Sequence, residues 1–240
     1  MHHFLYGVLP YLALTVAVIG SIIRYDRDPF TWKSKSSQLL RKRGFVLGSV
    51  LFHVGVLFIF AGHFVGLLTP IALFDALGVP HGAKQLLAVV AGGIAGTMAL
   101  VGGLILLARR LGDPRIRANS GFGDTLVMVM LVGQLGLGLA SVIPTMAHLD
   151  GHEMLKFMAW AQGIIFFQPG AAEHIADVHW IYKVHILLGL AIILVFPFTR
   201  LVHMVSAPVR YLWRPGYQIV RSRRGAKAAP RGVGPVRRAE

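Results

Sequence analysis

Apolar residues fill five long stretches of the chain, near 4–23, 45–68, 85–108, 124–143 and 181–204. Each approaches or exceeds the ~20 residues that carry a helix across a bilayer core. The second follows Arg41-Lys42-Arg43 and ends at Thr69-Pro70, and the third follows Lys84 and stops at Arg109-Arg110. The fourth begins after Asn119-Ser120-Gly121, with Asp124 in the first turn, where an acid meets the positive end of the helix dipole. The fifth carries Pro197, which a membrane helix tolerates with a kink, and is expected to run on to residue 204. A further apolar and aromatic segment, 152–167, is short for a span and predicts an interfacial helix, resting on the bundle or among headgroups. The predicted fold is an all-α integral membrane protein, a bundle of five transmembrane helices.

Composition supports that reading. Hydrophobic residues make up 55% of the 240 and charged residues 14%, against about a quarter charged in soluble domains. Five spans use close to half the chain, so one membrane domain is expected over 1–214. The remainder, 215–240, is a basic tail too polar to order alone; anionic lipid or a docking partner would suit it equally. The first stretch has no basic residue before it and no small-residue cleavage site after it, which predicts an uncleaved first helix. The chain has no cysteine. Disulfides, thiolate-bound iron–sulfur clusters, thioether-bound haem and cysteine-type zinc sites are therefore excluded within it.

A net charge of +14 first suggests nucleic acid, but its distribution points to membrane orientation instead and to no nucleic-acid partner. Seven Lys and Arg fall in the first loop, four in the third and ten from Arg200 onward, which is 21 of the 24. The opposite side holds only Lys84, Lys156 and Lys183. The positive-inside rule places the amino terminus outside and the carboxyl terminus in the cytoplasm, and an odd number of spans satisfies both ends.

Of eleven histidines, only His53, His63, His185 and His203 fall within spans, two on the second and two on the fifth. An ionisable group in a bilayer is costly and marks function by default. Antiparallel helices would match His63 with His185 near the outside and His53 with His203 near the cytoplasm. Each pair can supply the two axial imidazoles of a b-type haem iron. Ten residues on the second span give ~15 Å of rise and eighteen on the fifth ~27 Å, so irons roughly 20 Å apart are expected. Gly66 and Gly189 lie on the faces of His63 and His185 and could let a porphyrin approach. Packing histidines and a proton relay are the alternatives; relays usually recruit carboxylates, and no Asp or Glu occupies a helix centre.

Two cations stand near these histidines. Lys84 lies at the outer start of the third span, near the level of His63, where snorkelling to the interface would also explain it. Arg200, three residues before His203, could meet a propionate of an inner haem or simply anchor the helix end. Gly92 and Gly96 form a small-xxx-small pair suited to close helix packing.

The chain resembles the gamma (cytochrome b) subunit of membrane-bound respiratory nitrate reductase over roughly residues 4–220. The resemblance rests on Arg24-Tyr25-Asp26, Ser36-Ser37-Gln38, Leu51-Phe52-His53-Val54-Gly55, Gly62-His63-Phe64 and Leu68-Thr69-Pro70. It continues in Lys84-Gln85, Ala91-Gly92-Gly93, Arg109-Arg110-Leu111, Asp150-Gly151 and Trp160-Ala161-Gln162, and closes on Pro197-Phe198-Thr199-Arg200-Leu201-Val202-His203. Relative to the family pattern, one residue is inserted between His63 and Lys84. The resemblance implies a heterotrimer in the bacterial inner membrane, with an iron–sulfur beta subunit and a molybdenum-containing alpha subunit in the cytoplasm. It implies two haem b groups, the outer on His63 and His185 and the inner on His53 and His203. It implies quinol, either menaquinol or ubiquinol, oxidised near the outer haem, with Lys84 and Gly62 as candidates for that site. The paired-histidine pattern leaves open an anchor for another redox module, of heterodisulfide-reductase or sulfite-reduction type, and a non-redox scaffold or transporter.

Overall fold

The structure, a computed structural model, describes residues 1–34, 36–147 and 149–206. All regular elements among them are helical. Five helical stretches are long and apolar enough to cross a membrane: Phe4–Arg27, Phe45–Leu68, His81–Gly112, Phe122–Met146 and Trp180–Phe198. They correspond to the five expected spans. Met1–Val205 forms one compact unit; the expected division at 214/215 and the basic tail lie outside the described residues.

A π-helical turn at Phe4–Val8 leads into α1 (Leu9–Arg27), whose last turn holds Arg24 and Arg27 against the negative end of the dipole. The next helices are α2 (Phe45–Leu68) and the short α3 (Ile71–Ala76). At 32 residues α4 (His81–Gly112) is the longest helix. Its length of about 48 Å exceeds a ~30 Å hydrocarbon core. Asp113 ends it and caps α5 (Pro114–Ala118), accepting from the backbone N–H groups of Arg115 and Ile116. Then follow α6 (Phe122–Ala140), α7 (Val142–Met146), α8 (His152–Ile165) and α9 (Trp180–Val195).

The closest helix contact joins α2 to α4, and glycine makes it possible. A methyl group on Gly55 would lie 2.6 Å from the Ala95 carbonyl oxygen and 2.7 Å from the Ala99 nitrogen. One on Gly48 would meet Ile105 at 2.9 Å, and one on Gly102 would strike the Phe52 backbone. Small residues at such points let backbones touch. The expected Gly92–Gly96 pair does not act this way: Gly96 abuts Leu139 of α6, but Gly92 faces open space. From α4 the packing passes to α6, then α9, then α1. Outward side chains such as Leu57, Phe58 and Ile94 stay more than 60% exposed. A band that apolar is what a lipid surround requires and what water would penalise.

The interfacial helix expected at 152–167 is α8, and it rests on the bundle. Trp160 donates to the Tyr6 carbonyl at 2.9 Å, and the Tyr11 hydroxyl to that of Ile164 at 3.0 Å. Gln162 donates to the carbonyls of Leu67 and Thr69 at the end of α2. Gly151 precedes the helix at φ +88°, and a side chain there would lie 2.6 Å from the His81 Cβ.

The expectation that the fifth helix continues to 204 is corrected. Its α-helical part ends at Val195 and gives way to 3-10 turns at Phe196–Phe198 and Arg200–Met204, separated by an extended Thr199. Pro197 has no N–H to donate and its ring crowds the carbonyl of Ile193, four residues back. The Phe196 N–H takes up the Ile193 carbonyl, and the Arg24 guanidinium donates across the break to the carbonyls of Pro197 at 2.6 Å and Thr199 at 2.8 Å.

Candidate functional site

The four span histidines meet as two pairs. The ring centroids of His63 and His185 are 6.4 Å apart, and so are those of His53 and His203. Two metal–imidazole bonds of about 2 Å each, plus the half-widths of two five-membered rings, come to about 6 Å. One iron fits between each pair. A protein-held metal ion needs three or four side-chain ligands, and among the described residues no such group of His, Asp or Glu gathers. A porphyrin-held iron needs two axial ligands.

Hydrogen bonding orients the rings. Nδ1 of His53 lies 2.7 Å from the Ser49 carbonyl, Nδ1 of His63 lies 2.9 Å from that of Ile59, and Nδ1 of His203 bonds that of Arg200. An Nδ1–H donated to the backbone leaves the Nε2 lone pair free to bind metal, the usual arrangement of ligating histidines. His185 differs. Its Nδ1 is buried with no partner, while the Gln134 amide nitrogen lies 3.4 Å from its Nε2. An orphaned buried ring nitrogen is costly and fits a ligand position.

Space around the His63–His185 pair is uneven. Side chains added at Gly62 or Gly66, beside His63, would meet nothing within 4 Å. On the other wall, a carbon on Gly138 would lie 3.1 Å from the His185 ring, and one on Gly189 would lie 3.2 Å from the Gln134 amide. Gly189 thus makes room for Gln134, whereas Gly66 opens beside its histidine. The break in α9 also means that the ~27 Å helical rise expected between His185 and His203 does not hold. On the unbroken α2, the ten residues between His53 and His63 keep their ~15 Å rise.

Lys84 does not snorkel. The residue is 8% exposed, with Nζ 4.0 Å above the Phe74 ring, 3.4 Å from the Met158 sulfur and 3.4 Å from His81 Nδ1. Helix α8 closes over it. Arg200 is engaged at the other end of the bundle, its Nε 2.9 Å from Asp124 Oδ1. Arg110 is buried close by and donates to the Ser120 hydroxyl at 3.1 Å. Arg24, Asp124 and Arg200 line a polar cavity of about 100 Å³ with Lys33 and Thr199.

Sequence reasoning passed over Gln134, Gly138 and the clamp made by Arg24. Gln134 had a signal, being the sole amide within the stretch 124–143. The clamp had none, because Pro197 and Thr199 lie over 170 positions from Arg24.

The family model for the nitrate reductase gamma subunit matches residues 2–223. Respiratory nitrate reductase 1 gamma chain of Escherichia coli (strain K12) is 44% identical over 93% of this chain and 98% of its own length. Respiratory nitrate reductase 2 gamma chain of the same strain is 48% identical over 92% and 97%. The nitrate reductase gamma chain of Bacillus subtilis (strain 168) is 36% identical over 91% and 97%. With five membrane-spanning helices and this likeness along nearly its whole length, the chain belongs to the nitrate reductase gamma subunit family, as the membrane subunit of that enzyme.

Proposed function

We propose that this chain is the di-haem cytochrome b subunit through which quinol oxidation feeds nitrate reduction. His63 and His185 would hold an outer haem, and His53 and His203 an inner one. The observation that carries this reading is the double pairing of imidazoles at 6.4 Å, once at each level. A bound haem b supplies one reversible electron per iron, at a potential set by its ligands and their surroundings.

The chain's own residues orient that chemistry. Backbone carbonyls at Ser49, Ile59 and Arg200 hold three of the rings by Nδ1. The Lys84 ammonium can donate to a quinol or quinone oxygen, and the open face at Gly62 leaves room beside His63 for such a ring. Menaquinol and ubiquinol both fit this description. Arg200, with Nε on Asp124, can turn its remaining N–H groups toward an inner propionate.

In this reading the amino terminus faces outward, and the basic loops with the chain end face the cytoplasm, in the bacterial cytoplasmic membrane. The loops 24–44 and 109–123 are joined there. Arg41 donates to Asp113 at 2.8 Å and holds its carboxyl below the usual carboxylate range, and Arg109 donates to the Arg43 carbonyl at 2.9 Å. That face is where the iron–sulfur beta and molybdenum alpha subunits would dock. Protons then leave outside while electrons move inward, so charge separates across the membrane without pumping.

Haem quantitation on the purified complex tests the proposal. Two haems per gamma chain with low-spin spectra are expected; one haem, none or a high-spin spectrum from intact protein would overturn it.

A further inference from the structure

We infer that Lys84, His81 and Asp75 form a proton exit from the quinol site, a reading that rests on the quinol site proposed above. Lys84 Nζ lies 3.4 Å from His81 Nδ1, and His81 Nε2 lies 3.2 Å from Asp75 Oδ1. The three form a graded path outward. Lys84 is 8% exposed, the His81 side chain 31% and the Asp75 side chain 54%. Among the described residues no carboxylate pairs directly with the ammonium. His81 stands between the buried cation and the nearest acid.

Local structure holds the order. His81 opens α4 and Lys84 follows three residues later, so both side chains share one helix face. Helix α3 brings Asp75 to the far side of the imidazole. The turn at Gly151 packs on the His81 Cβ, and Met158 with Phe74 shuts the amine away from other water. As a mere surface pair, His81 and Asp75 would contribute little to stability. At 3.4 Å the Lys84–His81 contact is long for transfer, and such contacts tighten when substrate binds.

The balance is simple. Quinol becomes quinone by losing two electrons as both phenolic O–H bonds break, and the haem that His63 and His185 would hold would be the electron acceptor. For each electron, Lys84 passes a proton to His81 Nδ1, and His81 releases its Nε2 proton to the Asp75 carboxylate and water. The phenolic proton then restores the ammonium. The part-exposed imidazole regains its starting tautomer by exchange with water.

The test uses the whole complex carrying His81→Gln, His81→Ala, Asp75→Asn or Lys84→Ala. Quinol-driven haem reduction is followed beside the affinity of an alkyl hydroxyquinoline N-oxide, a non-reacting quinol mimic. His81→Gln and His81→Ala are expected to lower the maximum rate by about 100-fold, in the range of lost acid–base groups. The KM for quinol, mimic affinity and haem content should hold, and added imidazole should restore the Ala variant. Asp75→Asn should give a smaller fall. An unchanged rate in His81→Ala, or a loss that imidazole leaves unrepaired while mimic binding weakens, overturns the relay. If Lys84→Ala weakens the mimic and His81→Ala does nothing, the relay falls and the quinol site stands. If Lys84→Ala alters neither rate nor mimic affinity, the quinol site itself is misplaced.

Discussion

The two histidine pairs share one separation but are supported differently. At the proposed outer level His63 and His185 both sit on unbroken α-helix, with Gly138 and the Gln134 amide beside the His185 ring. At the inner level His203 lies in a 3-10 turn beyond a broken helix. Its place depends on Arg24 clamping Pro197 and Thr199, and on the pair of half-buried Arg200 with buried Asp124. Removing one partner of a buried ion pair costs about 3–5 kcal/mol, because the other charge is stranded. The outer pair therefore inherits its geometry from helix packing, and the inner pair from polar contacts between segments distant in sequence.

Removing ligands should separate the two levels most strongly. His63→Ala or His185→Ala should abolish the outer haem and spare the inner, and His53→Ala or His203→Ala should do the reverse. Redox titration of the haem bands reads which one is gone, and different losses from His63 and His185 would dissolve the pairing. A smaller effect is expected at the clamp. Arg24→Met keeps the apolar stem but drops the donors, so inner-haem occupancy should fall while the outer haem stays complete. Equal loss of both haems would make Arg24 a general anchor. The mildest change is Gln134→Leu, which should retain both haems and shift only the outer midpoint potential. A shift of about 40 mV is expected, the one-electron equivalent of a ~1 kcal/mol hydrogen bond.

The same contrast explains what could be read before the fold was known. The outer pair was legible because helices 2 and 9 are regular there, and counting residues along antiparallel rods suffices. The inner turn was not. A kinked and a broken helix differ in whether freed carbonyls find a donor, and here that donor is 173 residues away. The burial of Lys84 depends on α8 lying over it, and apolar character alone left α8 free to sit on the bundle or in headgroups. Gly92 and Gly96 look like a contact within one helix, but a contact also needs a matching hollow on a neighbour. Gly48, Gly55 and Gly102 have that match, and Gly92 does not.

Where α2 meets α4 backbone to backbone, one methyl group is as large an obstacle as a missing ligand. An alanine carbon at position 55, 2.6 Å from the Ala95 oxygen, must push the helices apart or slide one along the other. Because α2 carries both His53 and His63, either movement takes both histidines out of line together. Positions 48, 55 and 102 should thus tolerate substitution as poorly as the histidines while carrying none of the chemistry. On the proposed assignment a ligand variant should silence one haem and a scaffold-glycine variant both, and that double loss would tell the two kinds of position apart.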